Sequence, residues 1–235
     1  MINWQAILLD IEGTVTPISF VHDVLFPYAR AHVESFLVSH SNQPEVQTDI
    51  RKLREEQESD TEELRQPRIE SIDTAVTYVN RLIDLDRKSP ALKSLQGKIW
   101  KAGYEDGSLK SPVYPDVVAA FERWQDVGIK INIFSSGSVL AQQLLFAHTD
   151  AGDLTRYIDQ YFDTSVGKKI DPQSYLAIAA NLAFEPTQIL FVSDVVAELD
   201  AAKAAGMQTR LCIRPGNPRQ PASQFQRVTS FDDLQ

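Results

Sequence analysis

Two kinds of apolar pattern alternate along the chain. Short unbroken apolar runs lie near the start and again after residue 112, and such runs predict parallel strands that are buried on both faces. Between them, apolar residues recur at helical intervals, which predicts amphipathic helices. The pattern therefore predicts a helical stretch inserted into a chain that otherwise alternates strands and helices.

The strand-forming runs indicate the fold class. After residue 112 they alternate with helical segments, and one more run stands near the start of the chain. This alternation is typical of an α/β fold, so we expect a Rossmann-like core with a five-stranded parallel sheet. The tail after the last strand is polar. The predicted strands cover residues 6–9, 130–135, 161–164, 188–193 and 208–213.

The helical stretch predicts a second domain. Residues 18–111 show no clear strand, and a connection of this length is unusual inside a compact domain. We therefore expect a discontinuous α/β catalytic core of residues 1–17 and 112–235, with 18–111 as an all-helical cap inserted after the first strand. The predicted helices cover residues 23–38, 45–64 and 72–83, and a further one begins at Pro90 and ends near Gly103 and Gly107.

Composition narrows the class of partner. The 235 residues carry a formal net charge of -9 and are 43% hydrophobic, which suits a soluble protein and argues against a nucleic-acid partner. The single cysteine fits a reducing compartment. No apolar run approaches the roughly 20 residues that cross a bilayer, and the first residues do not resemble a signal peptide. We expect a cytoplasmic monomer without a membrane partner.

Two acids follow the first predicted strand. Asp10 and Glu12 are two residues apart, so in an extended chain they point the same way, and Gly13 allows a sharp turn after them. Such carboxylates can bind a divalent cation, attack an electrophile or move a proton. The alternative is an acidic loop that only caps a helix.

Polar residues also follow the later strands. Ser135 and Ser136 stand at a strand-to-helix turn, where hydroxyls and backbone N–H groups can hold a phosphate or simply cap the helix. Lys169 precedes another helix, where it can neutralise an anion or lie solvated in a loop. Asp194 ends the fourth strand, and Glu198 would fall in the first turn of a helix that begins near Val196.

Together these residue types fit phosphoryl transfer through an aspartyl intermediate. Right-handed crossovers bring the strand ends to one edge of the sheet. Asp10 would attack phosphorus, with Mg²⁺ held by Asp10, Asp194 and a backbone carbonyl. Lys169 and Ser135 would hold the remaining charge, and Glu12 would protonate the leaving oxygen and then activate water.

The order of these motifs resembles the haloacid dehalogenase superfamily of phosphatases. More narrowly, the chain is similar to the enolase-phosphatase (acireductone synthase) family of methionine salvage, and the similarity spans nearly the whole chain. The matching words are L-L-D-I-E-G-T-V-T-P-I-S-F-V, L-Q-G-K-I-W-K-A-G-Y-E-D-G, V-Y-P-D-V, I-F-S-S-G-S, Y-F-D-T-S-V-G-K-K, F-V-S-D-V and R-P-G-N.

The resemblance implies a set of site residues. It implies catalysis by Asp10 and Glu12, and one Mg²⁺ per subunit bound by Asp10, Glu12 and Asp194. It also implies that Ser135, Ser136 and Lys169 hold the substrate. This chain has Ser193-Asp194 where many members of the superfamily have a Gly-Asp or an Asp-Asp pair, and Glu198 is the candidate for a second acidic ligand, acting through water.

The resemblance also implies a reaction. The substrate would be 2,3-diketo-5-methylthiopentyl 1-phosphate, which is enolised and then dephosphorylated to the acireductone 1,2-dihydroxy-3-keto-5-methylthiopentene. The sequence does not identify the enolisation base. Two alternatives stay open: another small-molecule phosphatase of the same superfamily, and a phospho-acceptor module without turnover, which would lack a cap inserted after the first strand.

Overall fold

The computed structural model describes residues 3–62, 67–85, 87, 89–218 and 224–234. These residues form two compact units, one of residues 1–21 and 110–235 and the other of residues 22–109. No helix in the described part of the chain is long and apolar enough to span a membrane. The α-helices are α1 (Phe26–His40), α2 (Pro44–Glu58), α3 (Ile72–Asp84), α4 (Pro90–Glu105), α5 (Asp116–Asp126), α6 (Val139–Ala147), α7 (Pro172–Leu182) and α8 (Val196–Ala204).

The first unit contains a parallel β-sheet. Its strands lie in the order β3-β2-β1-β4-β5-β6, which is the strand order of a doubly wound nucleotide-binding fold. The prediction of an α/β core with a parallel sheet is therefore confirmed. The strands are β1 (Ala6–Leu9), β2 (Lys130–Phe134), β3 (Ile158–Phe162), β4 (Ile189–Ser193), β5 (Gln208–Cys212) and β6 (Arg227–Val228).

The predicted number of five strands was wrong, because the described residues form six. β6 has two residues and pairs in parallel with β5, too few to give a periodic signal. The tail is polar in composition, but its apolar residues Val228, Phe231 and Leu234 are buried in the core. Residues 219–223 of that tail lie outside the described residues.

β1 occupies the centre of the sheet. All four of its side chains are fully buried, as expected for a strand covered on both faces. It pairs with β2 and β4, and Leu9 lies opposite Ile133 on one side and Val192 on the other. The residues that follow these three strands therefore leave the sheet side by side at its carboxyl edge.

The second unit is helical in all of its described elements. It contains α1 to α4, and a π-helical turn over Phe20–Leu25 leads into α1. The helix predicted over 45–64 was too long, because α2 ends at Glu58, while residues 63–66 lie outside the described residues. Gly103 lies within α4, where a Cβ would come 2.5 Å from the Tyr28 hydroxyl oxygen. It is therefore a packing residue and not a helix terminator.

Arg214 ties several elements of the first unit together. Its guanidinium forms paired hydrogen bonds of 2.9 Å with both carboxylate oxygens of Asp116 at the start of α5. It also donates to the carbonyl of Thr229 at 3.1 Å and lies 4.4 Å from the ring centre of Tyr114 and 4.7 Å from that of Phe231. Burial alone would raise the pKa of Asp116, but hydrogen bonds from Arg214 and the Phe231 N–H lower it below its usual value.

We expect Asp116→Asn to lower the free energy of unfolding by about 3–5 kcal/mol at pH 7, because it leaves a buried guanidinium without its anion. The lowered pKa means that the contribution of Asp116 is complete above its ordinary pKa, near 4, and is lost as the pH falls through the folded value. The difference between wild type and variant should therefore shrink below about pH 4.

Urea denaturation at a series of pH values measures this difference. The matched control is Glu55→Gln, which removes the 4.0 Å exposed pair between Glu55 and Arg51 and should change the free energy by less than about 1 kcal/mol. A loss for Asp116→Asn no larger than that of the control would contradict the assigned role of the buried pair.

Candidate active site

Asp10 lies at the carboxyl end of the central strand. It directly follows β1 and is buried. Its Oδ1 accepts a hydrogen bond from the N–H of Ile11 at 2.8 Å, and its Oδ2 accepts one from the hydroxyl of Ser193 at 3.2 Å. The ammonium of Lys169 lies 2.7 Å from Oδ1. Both oxygens are thus held in a fixed orientation at the edge where ligands of α/β sheets bind.

The loop before α7 positions Lys169. The hydroxyl of Tyr175 donates to the carbonyl of Lys169 at 2.6 Å, and that of Ser174 donates to the carbonyl of Lys168 at 2.8 Å. Gly167 has a φ of +140°, and a Cβ added to it would lie 2.2 Å from the hydroxyl oxygen of Ser174, so a larger residue would be strained there. Two side chains of α7 therefore anchor the loop that carries the lysine.

Lys169 bridges two buried carboxylates. Its Nζ lies 2.7 Å from Asp10 and 2.8 Å from Oε2 of Glu198 in the first turn of α8. Burial alone would lower the pKa of Lys169, but the two carboxylates raise it above its usual value, so the lysine remains charged. Ser193 closes the network, because its hydroxyl also contacts Oε2 of Glu198 at 2.9 Å.

One lysine cannot neutralise two carboxylates. Burial raises the pKa of Glu198 to about 8, and the charge of Asp10 acts in the same direction, while Lys169 opposes both. The predicted position of Glu198 in the first turn of a helix from Val196 is confirmed. Its direct contact is with Lys169 and Ser193, which makes it the residue that fixes the lysine against Asp10.

Asp194 supplies a further acidic group at this edge. It follows β4 directly and is buried. Burial raises its pKa to about 7, and the charge of Asp10 acts in the same direction, against the opposing effect of Lys169. None of the ion pairs among the described residues includes Asp194. Two buried carboxylates that repel each other form an environment that a divalent cation would stabilise.

Gly13 allows Asp194 to approach the turn after β1. The residue has a φ of +71°, and a Cβ added to it would lie 2.5 Å from Oδ2 of Asp194. Both the backbone conformation and the close approach therefore require glycine. Glu12, just before it, is half-buried, and its backbone bridges to Thr16 to close the turn.

The described residues contain no group of three or more histidine, cysteine or acidic side chains placed to hold a metal ion. A donor set of Asp10, Asp194 and one backbone carbonyl uses only two side chains, and it consists of the oxygen ligands that Mg²⁺ prefers. The residues therefore fit a magnesium ion bound by two carboxylates, with waters or substrate oxygens completing its coordination.

The serine-rich turn follows β2 at the same edge. The helix cap is Ser138, which directly precedes α6. Its hydroxyl accepts a hydrogen bond from the N–H of Ala141 at 3.3 Å. Ser135 is buried and its hydroxyl accepts from the N–H of Gly137 at 3.1 Å, while Ser136 is exposed. Ser135 and Ser136 are thus not needed to cap the helix.

Sequence reasoning assigned no role to several residues that hold this edge together. Ser193 was recognisable only as a hydroxyl beside Asp194, and Tyr175 gave no signal because its position fits a core residue equally well. Gln142 donates from its amide to the carbonyls of Gly137 and Phe162, both at 2.9 Å. Gln142 thereby joins the serine turn after β2 to the end of the neighbouring strand β3.

The chain is similar to known proteins over nearly its whole length. A family model described as haloacid dehalogenase-like hydrolase matches residues 4–206. The chain is 52% identical to the Enolase-phosphatase E1 of Synechococcus elongatus, over 99% of this chain and 98% of that protein. It is 44% identical to the Enolase-phosphatase E1 of Sorangium cellulosum, over 98% of this chain and 97% of that protein.

A solved structure shares the same fold over its full length. The crystal structure of the UTR4 protein from Saccharomyces cerevisiae matches with a TM-score of 0.80 at 38% sequence identity, covering 98% of this chain and 99% of that one. These likenesses extend over both units of the chain. The chain therefore belongs to the haloacid dehalogenase-like hydrolases, and within them it is an enzyme of the enolase-phosphatase family.

Proposed function

We propose that this enzyme converts 2,3-diketo-5-methylthiopentyl 1-phosphate to the acireductone 1,2-dihydroxy-3-keto-5-methylthiopentene and phosphate, as a step of methionine salvage. The reaction comprises an enolisation followed by a Mg²⁺-dependent dephosphorylation. The full-length relatives named Enolase-phosphatase E1 support this substrate. The network of Asp10, Lys169 and Glu198 supports the phosphatase chemistry.

The observation that carries the proposal is the orientation of Asp10. Lys169 and the N–H of Ile11 hold Oδ1, whereas Oδ2 has a longer contact of 3.2 Å with Ser193. Oδ2 is therefore the better nucleophile. Its attack on phosphorus forms the aspartyl phosphate and breaks the bond to the substrate oxygen, and the electron pair leaves with that oxygen.

Four residues then handle charge and protons. Lys169 stabilises the negative charge that develops on the phosphoryl oxygens, because its ammonium is already fixed by two carboxylates. Ser135 and Ser136 donate hydrogen bonds to the phosphate from the turn after β2. Glu12 protonates the leaving oxygen and, once ionised, takes a proton from the water that hydrolyses the aspartyl phosphate.

The proposed cofactor is one Mg²⁺ per chain. Asp10 and Asp194 would hold it with a backbone carbonyl of the turn after β1, and the Glu12 side chain remains a further candidate ligand. When bound, the ion neutralises phosphate oxygens and polarises the oxygens of the diketone. The enolisation base is not assigned, and selectivity for the methylthio chain is proposed to come from the helical unit of residues 22–109.

Asp10→Asn should lower phosphate release by at least about a thousandfold, because the amide keeps the shape of the side chain but is not a nucleophile. Steady-state phosphate release measures the loss, and circular dichroism checks that the variant is folded. The matched control is Asp126→Asn, an exposed residue at the end of α5, which should retain wild-type turnover. Appreciable turnover by Asp10→Asn would rule out the nucleophile.

Removal of divalent ions should abolish turnover, and Mg²⁺ should restore it. Ca²⁺ should inhibit, because its larger and more flexible coordination sphere lets a carboxylate bind through both oxygens and withdraws Asp10 from attack. Dialysis against a chelator followed by titration of each ion, with phosphate release as the assay, measures both effects. Full activity after exhaustive chelation would contradict a catalytic metal.

Mass spectrometry of the product tests the substrate itself. With the diketone phosphate we expect the acireductone and one equivalent of phosphate, at a kcat/KM far above that for generic phosphate monoesters. A variant with Asp10→Asn that still enolises the diketone phosphate would separate the two half-reactions. Efficient cleavage of generic esters without turnover of the diketone phosphate would instead indicate a different phosphatase, and a stable phosphoprotein would indicate a phospho-acceptor module.

A further inference from the structure

Two side chains of the loop after β5 form hydrogen bonds to the turn after β1. The amide nitrogen of Asn217 donates to the carbonyl of Gly13 at 2.8 Å, and Nε of Arg214 donates to the carbonyl of Thr14 at 3.1 Å. Two consecutive carbonyls of the acidic turn are thus bound by two side chains of one loop. The hydrogen bond to Gly13 also determines which end of the Asn217 amide is the nitrogen.

The other end of the Asn217 amide faces the acidic edge of the site. Its Oδ1 is buried and has no hydrogen-bond partner among the described residues. A Cβ added to Gly13 would lie 3.0 Å from this oxygen and 2.5 Å from Oδ2 of Asp194. The two oxygens therefore converge on the same small space above Gly13, which is open only because residue 13 has no side chain.

Both of these oxygens accept hydrogen bonds and neither can donate one when Asp194 is ionised. A buried acceptor without a donor is destabilising, so a molecule that donates to both would be stabilised there. A water molecule has two donor hydrogens, so a single molecule placed between the two oxygens would supply a donor to each. Its lone pairs remain available to a cation beside Asp194.

We propose that Asn217 is a positioning residue for the metal site. Its amide nitrogen fixes the Gly13 turn, and its amide oxygen, together with Asp194, binds a water molecule that is itself a ligand of the Mg²⁺. The inference rests on the proposed magnesium cofactor but not on the identity of the substrate. Groups that orient the ligands of a metal in this way are worth about 10- to 100-fold in its affinity.

Calorimetric titration of Mg²⁺ into metal-free protein, without substrate, tests the inference. Asn217→Leu keeps a similar shape but removes both polar groups, and it should weaken Mg²⁺ binding about 10- to 100-fold. Asn217→Asp keeps an acceptor oxygen but loses the donor to Gly13, and it should bind Mg²⁺ at least tenfold more tightly than the leucine variant. Aspartate also adds a negative charge that attracts the cation by itself, so the ordered water expected in the crystal structure is the readout that identifies the proposed role.

The matched controls are Asn181→Leu and Asn181→Asp on α7. The amide of Asn181 also donates to a backbone carbonyl, that of Ala177 at 2.9 Å, but it stands on an exposed helix face. Both control variants should bind Mg²⁺ as the wild type does. Thermal unfolding of all four variants separates a loss of affinity from a loss of fold.

A crystal structure of the wild-type protein with Mg²⁺ gives an independent readout. We expect one ordered water within hydrogen-bond distance of both Oδ1 of Asn217 and Oδ2 of Asp194, and in contact with the ion. Wild-type affinity in Asn217→Leu, no recovery in Asn217→Asp, or an ion without that water would each overturn the inference. If the wild-type protein bound no Mg²⁺, the proposed cofactor would be overturned as well. If the wild type bound Mg²⁺ but the Asn217 variants or the ordered water did not behave as expected, only the inference about Asn217 would be overturned.

Discussion

The ion pair between Lys169 and its two carboxylates is the interaction on which the site depends. Removing an ammonium and two carboxylates from water costs several kcal/mol for each ion, which mutual attraction offsets only when the geometry is good. Lys169 lies within 2.8 Å of both Asp10 and Glu198, and Ser193 contacts both acids. The arrangement keeps the lysine charged and fixes Asp10, the proposed nucleophile, so the charges proposed to stabilise the phosphate are ordered before substrate arrives.

The other elements of the first unit support that cluster. β1 presents Asp10 because its four side chains are buried between β2 and β4. Tyr175 and Ser174 hold the loop of Lys169, and Gln142 holds the serine turn. Arg214, which is buried against Asp116, joins the start of α5 to the acidic turn. Tyr175, Ser174 and Gln142 are neutral donors to backbone carbonyls. The charge of Arg214 is paired with that of Asp116, so these supports restrict the loops without adding net charge to an edge that is already acidic.

Much of the fold and of the candidate residues followed from the sequence. Unbroken apolar runs marked β1 and β4, because strands buried on both faces need no polar alternation. β2 and β5 were predicted from the alternation of strand-forming and helical segments after residue 112. The polar residues that followed those runs marked the edge of the sheet, since an acid directly after a buried strand has little structural use. β3 was predicted too late, at 161–164 and not at Ile158–Phe162, because its partly exposed first residues resemble a loop. β6 was too short to give a pattern of its own.

The sequence by itself determined the alternation of strands and helices, the identity of the chemical groups and their attachment to strand ends. It did so because periodicity and residue type are local properties. Only the tertiary structure decided which groups touch: that Glu198 contacts Lys169, that Ser193 bridges two acids, and that Asn217 reaches the carbonyl of Gly13. Asn217 stands 204 positions from Gly13, and no local pattern encodes a contact across that separation. Such contacts form only when the strands have assembled in their order and the loops that follow them have packed together.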